Sequence, residues 1–279
     1  MDIFENYTPH KTYLVCVDSD GCAMDTMDVK HIECFAPQWI QVFGLTDRRI
    51  EAMKLWLDMN LYTKTRGINR FMGLDAACTE MVKRGAVING TEELSAWVAQ
   101  AKELSNPALK AYLVAHPCEI LQKALDWSYR VNAAIAALPD TAQPFPFVAE
   151  GLRNISAVAD IVGVSSANGA AVEAEWQRHG LKQYTRLLCC QEAGTKTDII
   201  YKMLTLGYAP QHVLMVGDAF GDKAAADANG TRFYPILVGQ EEASWRRLAT
   251  ETVPRLVSNT FDDALQAVYE AEFSIVLHE

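Results

Sequence analysis

An apolar, β-branched run, Tyr13–Val17, stops at two aspartates one residue apart, Asp18 and Asp20, and the chain then turns at Gly21. Such a run reads as a buried parallel strand, because a strand covered on both faces needs apolar side chains throughout. In an open α/β sheet, ligands bind beyond the carboxyl ends of the strands, so Asp18 and Asp20 are expected where a ligand sits. Strand residues two apart point to one side, which turns both carboxylates toward one cleft. Two carboxylates about 4 Å apart repel by roughly 4 kcal/mol at an effective dielectric near 20. Such a pair requires a cation or a shared proton. A hard cation, a carboxylate nucleophile and a neighbouring acid equip a pocket for phosphoryl transfer.

Further strand-like runs follow at Asp160–Ser165, Arg186–Cys189, His212–Val216 and Arg232–Ile236. They alternate with helical patterns at Gly169–His179, Lys196–Leu206 and Asp222–Ala228, with Gly180, Gly207 and Gly230 placed as C-terminal caps. This alternation predicts an α/β core built on a Rossmann-like, doubly wound parallel sheet. Strand signals vanish between Met27 and Gln143, where amphipathic helices are expected at Val29–Phe43, Arg48–Asn60, Asp75–Arg84, Glu92–Leu104 and Cys118–Leu138. Thr46-Asp47 and Thr91 stand at expected N-cap positions. The pattern predicts an all-helical insertion over 26–144 and a core made of 1–25 and 145–279, with Pro144-Phe145-Pro146 at the second crossing.

A formal net charge of -10 argues against binding nucleic acid or an anionic membrane, though a local cation can still reverse the field in one pocket. The first residues lack the basic stretch and apolar core of an export signal, and no apolar run reaches the length of a membrane span. The seven cysteines are odd in number and none is spaced C-x-x-C, so free, buried thiols in a cytoplasmic setting are expected. Cys189 and Cys190 are adjacent, and adjacent strand residues face opposite sides, which argues against joint chelation.

Four segments, in order, resemble the motifs of the haloacid dehalogenase-like hydrolases. Asp18-Ser19-Asp20-Gly21 resembles D-x-D-G, and Ser165 resembles the Ser or Thr that ends the second apolar strand. Lys196, in Gly194-Thr195-Lys196, resembles the third motif, and Gly217-Asp218-Ala219-Phe220-Gly221-Asp222 resembles GDxxxD. The match covers about 12–25 and 145–240; the insertion resembles a cap only in being helical. The resemblance implies a Mg²⁺-dependent phosphatase acting on a small phosphorylated metabolite through an aspartyl-phosphate. Asp18 is the implied nucleophile and Asp20 the implied general acid and base, a role typically worth about 10²–10⁴ in rate. The second acid also argues against dehalogenation. Asp218 is expected to complete a Mg²⁺ site with the Asp18 carboxylate and the Asp20 backbone carbonyl. Asp222 either joins that shell, holds a metal-bound water and Lys196, or is an acid in the first helical turn.

Lys196 is expected to neutralise the nucleophile and the phosphoryl group, and Ser165, or Ser166 if the strand ends one residue later, to donate to a phosphoryl oxygen. Cys22 stands where Thr or Val is usual in the family, and Asp25 fits an acid near a turn. In the insertion, the basic segment Lys64–Phe71 offers Arg66, Asn69 and Arg70 as substrate contacts or as a solvated loop. A phosphonatase would need a lysine such as Lys30, Lys54 or Lys64 to form a Schiff base. A mutase, or a silent phospho-ligand-binding protein, are the other readings, and the last is disfavoured by the presence of Asp18, Asp20 and Lys196. The chain is expected to act as a monomer or a homodimer.

Overall fold

Five apolar runs form one parallel sheet in the structure, a computed structural model that describes residues 3–139 and 142–278. The strands are β1 Leu14–Val17, β2 Asp160–Val164, β3 Leu187–Cys189, β4 Val213–Gly217 and β5 Arg232–Pro235. Their spatial order is β3-β2-β1-β4-β5, with Val17 level with Gly163 on one side and Val216 on the other. The strands read as continuous apolar runs because both sheet faces are covered. Val15, Val17, Ile161, Leu214 and Val216 pack on one face with Leu152, Trp176 and Trp245. Leu14, Cys16, Val162, Val213 and Met215 pack on the other with Ile199, Ala225 and Phe273. Residues two apart thus share a face, as the strand pleat demands. Cys189 and Cys190 fall into these two opposite clusters, and all seven cysteines are free thiols.

Asp160, at the start of β2, fixes the N-terminal segment beneath the sheet. Its Oδ2 accepts from the His10 and Lys11 amides at 2.8 and 2.9 Å and from the Tyr208 hydroxyl at 2.6 Å. Tyr208 spends its one proton there, so Tyr7 donates to Tyr208 at 2.7 Å. This end of the sheet is a packed polar clamp, which leaves the carboxyl end for chemistry.

The chain divides into two units, Met1–Thr26 with Thr141–Glu279, and Met27–Asp140. Thr26 and residues 142–144 therefore go with the sheet rather than with the helices. Met24 bridges Pro144, and the Asp25 amide donates to the Gln143 carbonyl at 2.9 Å. The two chain crossings hydrogen-bond to each other, which no periodicity reveals.

The second unit is helical around a core that holds Trp39, Trp56, Phe71, Trp97 and Trp127. The run expected as one helix from Val29 breaks into Met27–Lys30, a wide turn His31–Phe35 and Ala36–Val42. Pro37 has no amide to donate and its ring crowds the preceding turn, and the wider turn accommodates it. Another helix starts at Arg70, five residues before the expected Asp75, because Asn69 caps it by accepting from the Phe71 amide at 2.9 Å. Asn106–Ala115 is a helix that the periodicity did not indicate; Ser105 caps it and Pro107 opens it. Thr46 and Asp47 lie in a short 3₁₀ turn without a side-chain cap, and Gly90, at φ 84°, takes the cap position expected of Thr91. Among the described residues no helix is long and apolar enough to cross a membrane.

Candidate active site

Asp18 and Asp218 each follow the last residue of a central strand, β1 and β4. The Asp18 amide donates to the Val216 carbonyl at 3.0 Å, which extends the ladder one residue and brings the two strand ends together. Here the sheet changes winding direction, the place where open α/β sheets bind ligands. After Asp18 the chain turns back on itself. The Ala23 and Met24 amides donate to the Ser19 carbonyl at 2.9 and 2.8 Å, and Gly21 adopts φ 78°. That left-handed conformation is what a glycine supplies cheaply. Cys22, Ala23 and Met24 insert into the core below, and Asp25 is exposed.

Lys196 arrives from the far side of β2. Thr195 and Asp198 form a reciprocal capping box, so Lys196 is the first residue of the Lys196–Thr205 helix. Its Nζ stands 2.9 Å from Asp18 Oδ1 and 2.5 Å from Asp222 Oδ1. Asp222 Oδ2 accepts from the Ala219 amide at 3.1 Å, which caps the Phe220–Ala228 helix; that helix begins two residues before the expected Asp222. Asp222 thus contacts Lys196 and also serves the first helical turn.

Asp18, Asp218 and Asp222 are all buried, and each offers one oxygen within 4.8 Å of the others. Burial drives the Asp18 carboxyl well above its usual range, Lys196 opposes this, and the charges of Asp222 and Asp218 add to it. Burial alone would depress the Lys196 ammonium; Asp18 and Asp222 outweigh burial and hold it above the ordinary lysine value. Three carboxylates against one ammonium leave a buried negative excess of hard oxygen donors. That set fits a small divalent cation.

Asp20 is half-buried, and its Oδ1 accepts the Thr26 hydroxyl proton. Thr26 lies six residues on and is buried; no motif pointed to it. Ser165 stands at the same strand end as Asp18, since β2 neighbours β1. It is buried and its Oγ accepts from the Ala167 amide at 3.1 Å, whereas Ser166 is exposed.

Gly217, the first residue of the GDxxxD match, has a steric role that the motif itself does not explain. A Cβ there would lie 2.2 Å from Asp222 Cγ and Oδ2 and 2.5 Å from its Cβ, so only glycine lets the Asp222 carboxylate tuck beneath β4. Gly217→Ala is expected to displace Asp222, and Lys196 with it. Turnover should fall about 10²-fold, the usual consequence of misplacing reacting groups by about 1 Å. Stability should drop by about 1–3 kcal/mol. Gly221→Ala, whose Cβ meets nothing within 4 Å, is the control and should leave both unchanged or gain slightly in stability. Steady-state turnover and thermal melts of the two variants check this.

Of the candidates in the helical unit, Asn69 caps a helix and donates to the Leu104 carbonyl at 2.9 Å. Arg70 donates to Ser128 Oγ at 3.0 Å and to Asn132 Oδ1 at 2.6 Å, with burial pressing its guanidinium below the ordinary arginine value. Both make hydrogen bonds within their own unit; Asn69 is exposed and Arg70 half-buried. Arg66 is buried and donates to the Leu61 carbonyl at 2.9 Å. Lys54 pairs with Asp58 on an exposed helix face.

No protein-family model matches the chain, and no curated protein matches it in sequence. Among solved structures, a protein of Lactobacillus delbrueckii subsp. bulgaricus assigned as a phosphoglycolate phosphatase aligns with TM-score 0.54 at 13% identity. The alignment covers 90% of this chain and 98% of that one. A hydrolase from Pseudomonas syringae aligns with TM-score 0.48 at 11% identity, over 84% and 90% of the two chains. A haloacid dehalogenase-like family hydrolase of Streptococcus pneumoniae gives TM-score 0.47 at 13% identity, over 80% and 83%. The first of these carries the comparison, and at that identity it establishes the fold alone: the chain shares the fold of that protein.

Proposed function

We propose that this chain, with the haloacid dehalogenase-like fold, is a phosphoric monoester hydrolase that works through an aspartyl-phosphate on Asp18 and acts on a small phosphorylated metabolite. One observation carries the reading. A buried aspartate at the end of the central strand is held 2.9 Å from a buried ammonium, within a trio of carboxylates. A structural role for Asp18 would not require three carboxylates gathered at one end of the sheet.

Asp18, Asp218, the Asp20 carbonyl and, on the cation's approach, Asp222 are the donors that would hold Mg²⁺, which supplies positive charge to a dianionic phosphoryl group. The remaining chemistry belongs to the chain. An Asp18 carboxylate oxygen attacks phosphorus; the bond from phosphorus to the leaving oxygen breaks, and Asp20 gives that oxygen a proton. Water then attacks the same phosphorus, Asp20 takes its proton, and the bond to Asp18 breaks to release phosphate. Thr26 holds Asp20 through Oδ1 and orients it for both transfers. Lys196 neutralises charge on Asp18 and on the phosphoryl oxygens, and the Ser165 hydroxyl donates to one of those oxygens. The free, largely buried thiols fit a reducing compartment.

Phosphate release from an aryl phosphate, followed by a screen of phosphorylated metabolites, tests the reading. Activity should require Mg²⁺ and vanish with chelator. No release from any phosphoester would overturn it, as would movement of label between substrate positions without release, or borohydride trapping of a lysine adduct.

A further inference from the structure

Two fully buried tryptophans, Trp176 in the Gly169–Arg178 helix and Trp245 in the Glu241–Arg247 helix, pack on the same sheet face. Each aims its indole N–H at the turn that carries Asp18 and Asp20. Trp176 Nε1 donates to Ser19 Oγ at 2.9 Å, and Trp245 Nε1 donates to the Cys22 carbonyl at 2.8 Å. An indole nitrogen is a donor only, and once buried it must find an acceptor or leave a polar group unpaired. Each bond therefore fixes its acceptor against a rigid core, at both ends of a four-residue stretch.

Ser19 is the hub of that turn. Its amide donates to Asp18 Oδ1 at 2.8 Å, and its carbonyl accepts from the Ala23 and Met24 amides. A shift of Ser19 moves the carboxylate on one side and the Asp20 backbone on the other. Ser19 is buried and has no step in the proposed reaction, so its hydroxyl acts as the attachment point for Trp176.

We propose that Trp176 and Trp245 are positioning residues, whose indole N–H groups set the placement of Asp18 and Asp20 through Ser19 and Cys22. The inference rests on the phosphatase reading for its catalytic consequence, but its structural content can be read without turnover. Trp176→Phe keeps an aromatic ring in the core and removes the donor; Ser19→Ala removes the acceptor and leaves both indoles in place.

Expected results are as follows. Trp176→Phe lowers kcat about tenfold with KM within twofold, since both indoles are fully buried beneath the turn. Ser19→Ala does the same, and the double variant loses no more than either single one, because both remove one bond. Trp245→Phe also lowers kcat. Hydrogen exchange at the Ser19, Ala23 and Met24 amides speeds up about tenfold in these variants, while amides of β4 keep their protection. Unchanged kcat and unchanged exchange in Trp176→Phe and Ser19→Ala would overturn the proposal, as would multiplicative losses in the double variant. Where Trp176→Phe fails to fold, Ser19→Ala and Trp245→Phe decide. A wild-type protein inactive on every phosphoester would sink the phosphatase reading alone, and the exchange result would still decide what holds the turn.

Discussion

Asp18→Asn is expected to lower phosphate release by about 10⁴-fold or more, the scale on which losing a covalent nucleophile is felt. The substitution keeps the shape of the side chain and its contact with the Ser19 amide, so the loss belongs to chemistry rather than packing. The same variant should be at least as stable as the wild type in chelator. Burial and the charges of Asp222 and Asp218 raise the Asp18 carboxyl in the folded protein, against the pull of Lys196. A carboxyl raised on folding contributes stability that is complete below its unfolded value and is lost as pH rises through the folded one. Asparagine has no proton to lose, so the melting temperature of the variant relative to wild type should climb as pH rises from acid toward neutral. A variant that retains more than about one hundredth of the activity would contradict the assignment.

Lys196→Met should be the most destabilising single change at the site. Lys196 is the cation that the structure places against Asp18 and Asp222. Breaking a buried ion pair by removing one partner typically costs about 3–5 kcal/mol, because the remaining charges stay buried without compensation. A loss of that size lowers the melting temperature by roughly 10 °C for a unit of this size. Asp18 and Asp222 hold the Lys196 ammonium above its ordinary value, against the effect of burial, so its contribution is present across the neutral range and fades only as pH rises through the raised value. The deficit of the variant should shrink on acidification, when the carboxylates protonate. Millimolar Mg²⁺ should raise the melting temperature of the variant more than that of wild type, since a divalent cation then supplies the positive charge that Lys196 gave. Equal melting temperatures for variant and wild type at neutral pH in chelator would contradict the electrostatic account.

The sheet was legible in the sequence because both of its faces are covered, so each strand is a largely apolar run, with a charged residue only at the first position of β2 and β5. Strand ends fell within a residue of the observed ones: Tyr13–Val17 against Leu14–Val17, and His212–Val216 against Val213–Gly217. The residues at those ends, Asp18, Ser165 and Asp218, could be read off with them. The helical unit was less legible, since its boundaries are set by single capping contacts. Asn69 starts a helix inside what read as a basic loop, and Pro37 breaks what read as one long helix. Supporting residues were hidden for a different reason. Thr26 is constrained by the return of the chain beneath Asp20, and Trp176 by a partner 157 residues away. Contacts of that kind exist only once the sheet has formed, and they leave no local pattern.

The most direct measurement is acid quenching of a single turnover on substrate labelled in the phosphoryl group, followed by peptide mapping. The label should appear transiently on the peptide that contains Asp18, as an acyl phosphate cleaved by hydroxylamine, and should be absent from Asp18→Asn. Phosphate released at the same rate with no labelled protein, or label on any other side chain, would contradict the account.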